Sequence, residues 1–347
     1  MTKRRLVLLA FSICLALVSA PLSFTIASAQ KPGPVVTLKG LRPWPWEAND
    51  TTGYREFLTR INERAKGRLV LKDIGGSEVF PSTKQFEPLK LGTVDFLFTS
   101  TGYIADIFPE PTILIYTFGA GPDKLRAAGV HKRIDELGRK EHGVSFFGSA
   151  WFGNAHIWST KPVKSLADFK AMKVRSHPSY DPLIKGLGIP TVTVPFGEMF
   201  LALQTGVVDA VVWPYFDLIT YGLEKVIKHR IDPPLWRAGW APFFMNAKRF
   251  DALPQDLQKL MVDTMIELEK DAPRLFGELA AKEAAKLRAA GVTTIKISDA
   301  EWREAQRVAW EKSLPETMRR VSPKYGQELI KMLGQFYPPK EPFPAVD

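Results

Sequence analysis

The pattern Leu-x-x-Gly-x-Val-Asp occurs in LKLGTVDFLFTSTG (residues 89–102) and again in LQTGVVDAVVWPYF (203–216). Each copy follows a helix-like run and leads into a β-rich run. Gly92 and Gly206 can take the left-handed conformation that closes a helix. The apolar runs Phe96-Leu97-Phe98 and Val211-Val212-Trp213 then read as buried strands. Two such units predict an α/β protein with a mostly parallel sheet in each of two domains. Ligands of open α/β sheets sit beyond the carboxyl ends of the strands. That rule points to residues 99–103 in one half and 213–216 in the other, facing each other across a cleft.

The length agrees, since 347 residues exceed what one core of ~150 residues serves. At the amino end Lys3, Arg4 and Arg5 precede an apolar stretch from Leu6 to about Ala20, and Ala27-Ser28-Ala29 follow. This is the pattern of a secretory signal cleaved near Ala29 and of an exported protein. Its apolar stretch is short for a membrane span, and no later run offers ~18 consecutive apolar residues. The only cysteine, Cys14, lies inside that signal, so the exported chain has neither disulfides nor thiolate chemistry. The formal charge of +10 loses only the three basic residues of the signal. A basic surplus fits an anionic ligand. Without a block of consecutive Lys or Arg, an exported chain of this kind is not a nucleic-acid partner.

Along the middle, VSFFGSAWFG (144–153) and HIWST (156–160) read as strands. SLADFKAM (165–172) reads as a short helix with Ser165 and Asp168 as a capping box. KVR (173–175) is then a short strand whose last residue is Arg175. Past Pro254 a helical pattern runs to Gly291, long enough to brace both domains. Pro273 is expected to kink or divide it, and the proline-rich tail from Pro338 to extend over the surface.

Catalytic patterns are missing. There is no phosphate-binding Gly-rich loop, no metal-ligand spacing among the five histidines, and no Gly-x-Ser-x-Gly elbow. No enzyme activity, cofactor or metal is expected. The rival reading, a secreted α/β hydrolase, would need a Ser/His/Asp set assembled from distant positions.

A longer run carries more. Lys173-Val174-Arg175, Leu187-Gly188-Ile189, Pro195-Phe196-Gly197-Glu198, Ala202-Leu203-Gln204-Thr205-Gly206 and Val208-Asp209 succeed one another within residues 172–214. Together they resemble the signature region of the extracytoplasmic solute receptors of TRAP (tripartite ATP-independent periplasmic) transporters, the DctP family. GRLVLKD (67–73) and LPQDLQ (253–258) extend the similarity more loosely. The resemblance implies a two-lobed α/β periplasmic binding protein fold, type II-like, with a long helix bracing both lobes. Lobe I would hold residues 30–153 plus about 239–280, and lobe II 154–238 plus about 281–347. It also implies a small organic anion as ligand and the small and large membrane subunits of a TRAP permease as partners. A receptor that signals without transporting is a further alternative.

In the family the arginine matching Arg175 forms a two-toothed salt bridge with the ligand carboxylate, as a planar guanidinium can. Two positions depart from the family pattern. Ala155 stands where some sialic-acid receptors carry a second arginine, and Trp213 replaces an asparagine before Pro214. Both shift the expected ligand toward a flatter, less hydroxylated acid, an aromatic or other apolar monocarboxylate. A dicarboxylate or a 2-oxo acid is the alternative. Trp213 is expected to touch the ligand. Tyr103, Phe152, Asn154, His177 and Phe216 are further candidates by position, and Glu78, after Gly75-Gly76, could meet a ligand hydroxyl. The remaining indoles, such as Trp44 and Trp236, read equally well as core packing.

Overall fold

Both copies of the repeated pattern close a helix and open a strand. A computed structural model describes residues 34–343, except 151, 152, 178, 195, 239 and 240. The expected signal segment with Cys14, and Phe152, lie outside the described residues. In the first copy Gly92, at φ +75°, ends the helix Phe86–Lys90, and β3 (Phe96–Phe98) follows. In the second, Gly206, at φ +74°, ends the helix Met199–Gln204, and β8 (Ala210–Pro214) follows. The aspartates do the same work in both. Asp95 Oδ2 accepts the Lys39 amide at 2.7 Å and Asp209 Oδ2 the Lys173 amide at 2.9 Å. Their other oxygens pair with Arg249 and Lys161, each at 2.7 Å. Each thereby ties the start of its strand to the adjacent one.

The strands form two sheets. The first has the order β2 (Leu69–Asp73), β1 (Val36–Leu41), β3, β11 (Pro242–Asn246), β4 (Val144–Ser149). The second has the order β12 (Thr293–Lys296), β9 (His229–Asp232), β5 (Gly153–Ser159), β8, β6 (Val174–Arg175), β7 (Thr191–Val192), with β10 (Trp236–Ala238) paired to β5. The prediction of mostly parallel sheets needs correction. The pairs β1–β2, β1–β3, β6–β7, β6–β8 and β9–β12 are parallel, but every pair made by β5 or β11 is antiparallel. The reason is the path of the chain. It leaves the first sheet after β4 and enters the second as β5, then returns from β10 to β11. These crossing strands run against the βα units they join.

Both sheets and their helices fall in one compact unit beginning at Val35. The helix Gln255–Ala289, 35 residues long, spans it. Glu269, near its middle, reaches the first sheet, where Oε1 accepts the Ser149 amide at 3.0 Å and Oε2 pairs with Arg126. Glu283, about four turns on, accepts the Ile219 amide at 2.7 Å, beyond the second sheet's β8. Pro273 lies inside this helix and does not divide it. A proline removes one amide donor at a cost of about 3 kcal/mol, and here buried contacts hold the helix on both sides of it. Gly291, at φ +83°, follows its end as expected.

Ser165 and Asp168 form the expected capping box on the 3₁₀ turn Leu166–Ala171. From Pro338 to Phe343 the tail has no regular structure, and Pro338, Lys340 and Glu341 are exposed as expected, but it is anchored. Phe343 is buried and meets the Trp302 ring edge-on at 5.1 Å, so apolar burial pins this surface segment at one point. Among the described residues no helix is long and apolar enough to cross a membrane.

Candidate functional site

Arg175 ends β6, beside β8, and β8 ends in Trp213 and Pro214. Sheet geometry therefore sets both side chains at the carboxyl edge of the second sheet. The Arg175 guanidinium carbon lies 5.5 Å from the centre of the Trp213 ring, a cation–π contact. Arg175 is only 5% exposed. Its Nε donates to the Val194 carbonyl at 3.3 Å, and its Nη1 is buried with no hydrogen-bond partner among the described residues. Burial lowers its pKa, opposed by the nearby Tyr103, Asp181 and Tyr180.

The first sheet meets this point from the other side. After β3 the chain turns into the short helix Thr101–Ile104, capped by the Ser100 hydroxyl on the Gly102 amide. Gly102 packs so closely against the loop after β6 that a Cβ there would sit 2.2 Å from His177 Cε1 and 2.4 Å from Ser179 Oγ. Glycine is what permits that approach. Tyr103, next to it, meets the His177 ring edge-on at 5.1 Å and the Trp44 ring at 6.3 Å. His177 lies 6.2 Å from Tyr180, and Tyr180 4.8 Å from Trp236. Trp213 continues the aromatic wall to Tyr221 at 5.9 Å.

The electrostatics follow from burial. His177 is pushed down to about 3 by desolvation and then by the Arg175 charge, so its ring is neutral. Tyr103 and Tyr180 are pushed up by desolvation and stay protonated. Thr101 Oγ1, His177 Nε2 and Ser179 Oγ are buried without hydrogen-bond partners among the described residues. Buried polar atoms are otherwise almost always paired. A buried cation with unpaired polar atoms and aromatic rings around it can hold a planar anion by charge, hydrogen bonds and stacking.

Of the residues singled out by sequence, the structure brings together Arg175, Trp213, Tyr103 and His177. It disposes of the others differently. Glu78 lies on an exposed turn, where Oε1 accepts the Gly76 amide at 2.6 Å and stands 3.8 Å from Arg42. Its own amide and that of Gly76 hold the carboxyl below the usual range. Phe216 is buried against Phe276 of the long helix, ring centres 5.5 Å apart, in the core. Asn154 is buried in β5 opposite Arg237 of β10, at the crossing between the sheets. Sequence reasoning passed over Asp50, Tyr180 and Tyr221. Asp50 lies past the carboxyl end of β1, where the strand-end rule applied to β1 as well as to β3 and β8 would have led. No group of His, Cys, Asp and Glu among the described residues could hold a metal ion.

Comparisons with known proteins place the chain in a family. The family model for bacterial extracellular solute-binding proteins, family 7 (DctP), matches residues 44–317. A solute-binding protein of Verminephrobacter eiseniae is 32% identical over 255 residues, covering 70% of this chain and 74% of its own. A monocarboxylate 2-oxoacid-binding periplasmic protein of a Nostoc species is 25% identical over 306 residues, covering 85% of this chain and 83% of its own. Among solved structures, a TRAP periplasmic solute-binding protein of Desulfovibrio salexigens with bound orotic acid superposes with a TM-score of 0.76. It is 21% identical and covers 87% of this chain and 98% of its own. These matches are solute-binding receptors, not enzymes.

Proposed function

Because the chain belongs to the DctP family of bacterial extracellular solute-binding proteins, we propose that it is the exported receptor of a TRAP permease and grips an organic acid at Arg175. The observation that carries this is the buried Arg175 Nη1 without a partner. A buried charge left unpaired costs several kcal/mol, and a ligand carboxylate would supply the missing acceptors. The aromatic wall of Trp213, Tyr103 and Tyr180 favours a flat monocarboxylate. The match to a 2-oxoacid-binding relative and the fold shared with an orotic acid receptor both support a small planar acid. A dicarboxylate would need a second cation at the pocket. Family membership and the amino-terminal signal pattern support export to the periplasm and delivery to the small and large membrane subunits.

Two lobes account for the architecture. Lobe I would be residues 30–153 with about 239–280, and lobe II 154–238 with about 281–347. The two sheets and their two crossings support that division. The carboxy-terminal helices Leu314–Val321 and Gly326–Leu333 pack on the 3₁₀ turn Glu110–Ile115 beside the first sheet, so this part of lobe II reaches over lobe I. The tight contact of Gly102 with His177 and Ser179 belongs to the closed state, in which contacts from both lobes surround the ligand.

A thermal-shift screen of the exported chain tests the reading. Aromatic, aliphatic, 2-oxo, dicarboxylic and sugar acids are compared side by side, since a ligand that binds only the folded state raises the melting temperature with concentration. Stabilisation by aromatic or 2-oxo monocarboxylates is expected. A response to dicarboxylates alone would reject the one-cation pocket, and no response to any acid would reject the receptor.

A further inference from the structure

Building on that receptor reading, we propose that Asp50 is a specificity residue of the same pocket, and that the ligand carries a hydrogen-bond donor, a hydroxyl or an ammonium, away from its carboxylate. Asp50 is 1% exposed and follows β1. It is held from the other sheet. Asp217, just past β8, accepts the Asn49 side-chain amide at 2.9 Å and the Asp50 backbone amide at 3.1 Å. To make these bonds Asp217 adopts φ +67°, a left-handed conformation that Asp tolerates better than most residues. Strain of this kind persists where the surroundings demand it. The demand here is to set Asn49–Asp50 against the end of β8, where Trp213 lies.

The charge of Asp50 is felt along the aromatic wall. It pushes up the phenols of Tyr103 and Tyr180, which Arg175 pulls down, and it pushes up Tyr221 too, where Arg175 has no resolved influence. Desolvation is the larger cause at all three. The pocket thus has a cation at one place and a carboxylate further along the same rings. Asp50 does not neutralise Arg175, whose Nη1 keeps no partner among the described residues. A carboxylate in a closed cleft repels a simple anion, so its placement weakens binding of acids that offer it nothing. A carboxylate has about four acceptor sites, so a ligand donor can join whatever bonds the protein already supplies.

The experiment compares benzoate and phenylacetate with their 4-hydroxy and 4-aminomethyl derivatives, titrated by calorimetry into wild type, Asp50→Asn and Asp50→Glu. Asn keeps the backbone amide held by Asp217, and melting of each variant without ligand checks its fold. In wild type the donor-bearing acids are expected to bind at least about tenfold more tightly than their parents, the scale of a hydrogen bond to a charged group. Asp50→Asn should abolish that preference for the ammonium acids and leave the parent acids as tight or tighter. Equal affinity of parents and derivatives in wild type overturns the role of Asp50, as does an undiminished preference in folded Asp50→Asn. Either result leaves the receptor reading standing if the parent acids bind; failure of every acid overturns both. If Asp50→Asn does not fold, the wild-type preference and Asp50→Glu decide in the same way.

Discussion

A guanidinium that is buried, stacked on an indole and short of one partner is costly to keep unless an anion completes it. Lysine cannot replace it, because an ammonium lacks the fork that matches two carboxylate oxygens. Arg175→Lys should therefore weaken the best acid at least about tenfold in calorimetric titration; equal affinity would mean that a point charge suffices to hold it. Trp213→Leu keeps bulk but removes the ring face. It should lose about 1–2 kcal/mol of binding, read by calorimetry, as expected for a desolvated cation–π and stacking surface. Equal affinity in that variant would make Trp213 a packing residue only. Arg175 and Trp213 were legible in the sequence because both lie at strand ends inside one continuous motif. Asp50, Tyr180 and Tyr221 were not. Tyr180 and Tyr221 lie in the loops beyond β6 and β8, past the strand-end positions the rule names, and Asp50 follows a different strand, β1; only the folded chain shows which loop residues turn toward the rings. Glu78 shows the converse: the glycines before it fit a cleft approach, yet the Gly76 amide and Arg42 take its carboxylate locally.

At the scale of elements, the contact that most directly links the two sheets across the site is the helix Thr101–Ile104 against the loop 176–179. Gly102→Ala places a methyl where His177 and Ser179 now stand. The open protein should accept it, since alanine favours helices, while the closed one should not. The expected result is at least about tenfold weaker ligand binding with an unchanged melting temperature of the unliganded protein. His177→Ala combined with it should restore part of the loss, the coupling expected of residues in contact. If Gly102→Ala binds as wild type does, the close approach is no closure contact. The helices and strands themselves were largely readable, since the repeated Leu-x-x-Gly-x-Val-Asp marks a helix end and a strand start by local chemistry. Strand direction was not, because β4, β5, β10 and β11 owe their antiparallel pairing to where the chain crosses between sheets. Nor does Pro273 divide its helix, for a related reason: its local cost is real, but buried Glu269 and Glu283 anchor the helix on either side.

For the whole molecule, buried titrating groups set the acid response. His131 and His156 are buried, and desolvation lowers both from 6.5 to about 3. Below pH 6.5 the unfolded chain takes up protons there that the folded chain refuses, so their contribution is present above that pH and lost as pH falls. Glu269 acts oppositely. Burial raises it to about 7 against the pairing with Arg126, so its contribution is present below 4.5 and lost as pH rises through 7. With two protons against one, the summed contribution of these three groups falls between pH 6.5 and 4.5. The melting temperature should drop over that window, and Glu269→Gln, which removes the opposing proton, should steepen the drop. A flat profile would contradict the burial of these histidines. His177 is left out of the balance because lobe closure contributes to its burial.

An organic acid held in the closed cleft by Arg175 depends on that guanidinium for its affinity. The most direct test of this dependence is calorimetric titration of the acid that stabilises wild type most, into wild type and Arg175→Ala, each checked for an intact melting transition. Losing one partner of a buried, hydrogen-bonded charge pair costs about 2–5 kcal/mol, so binding should weaken by a factor of roughly 30 to several thousand. The same dissociation constant in both proteins would contradict it and would move the carboxylate site elsewhere in the molecule.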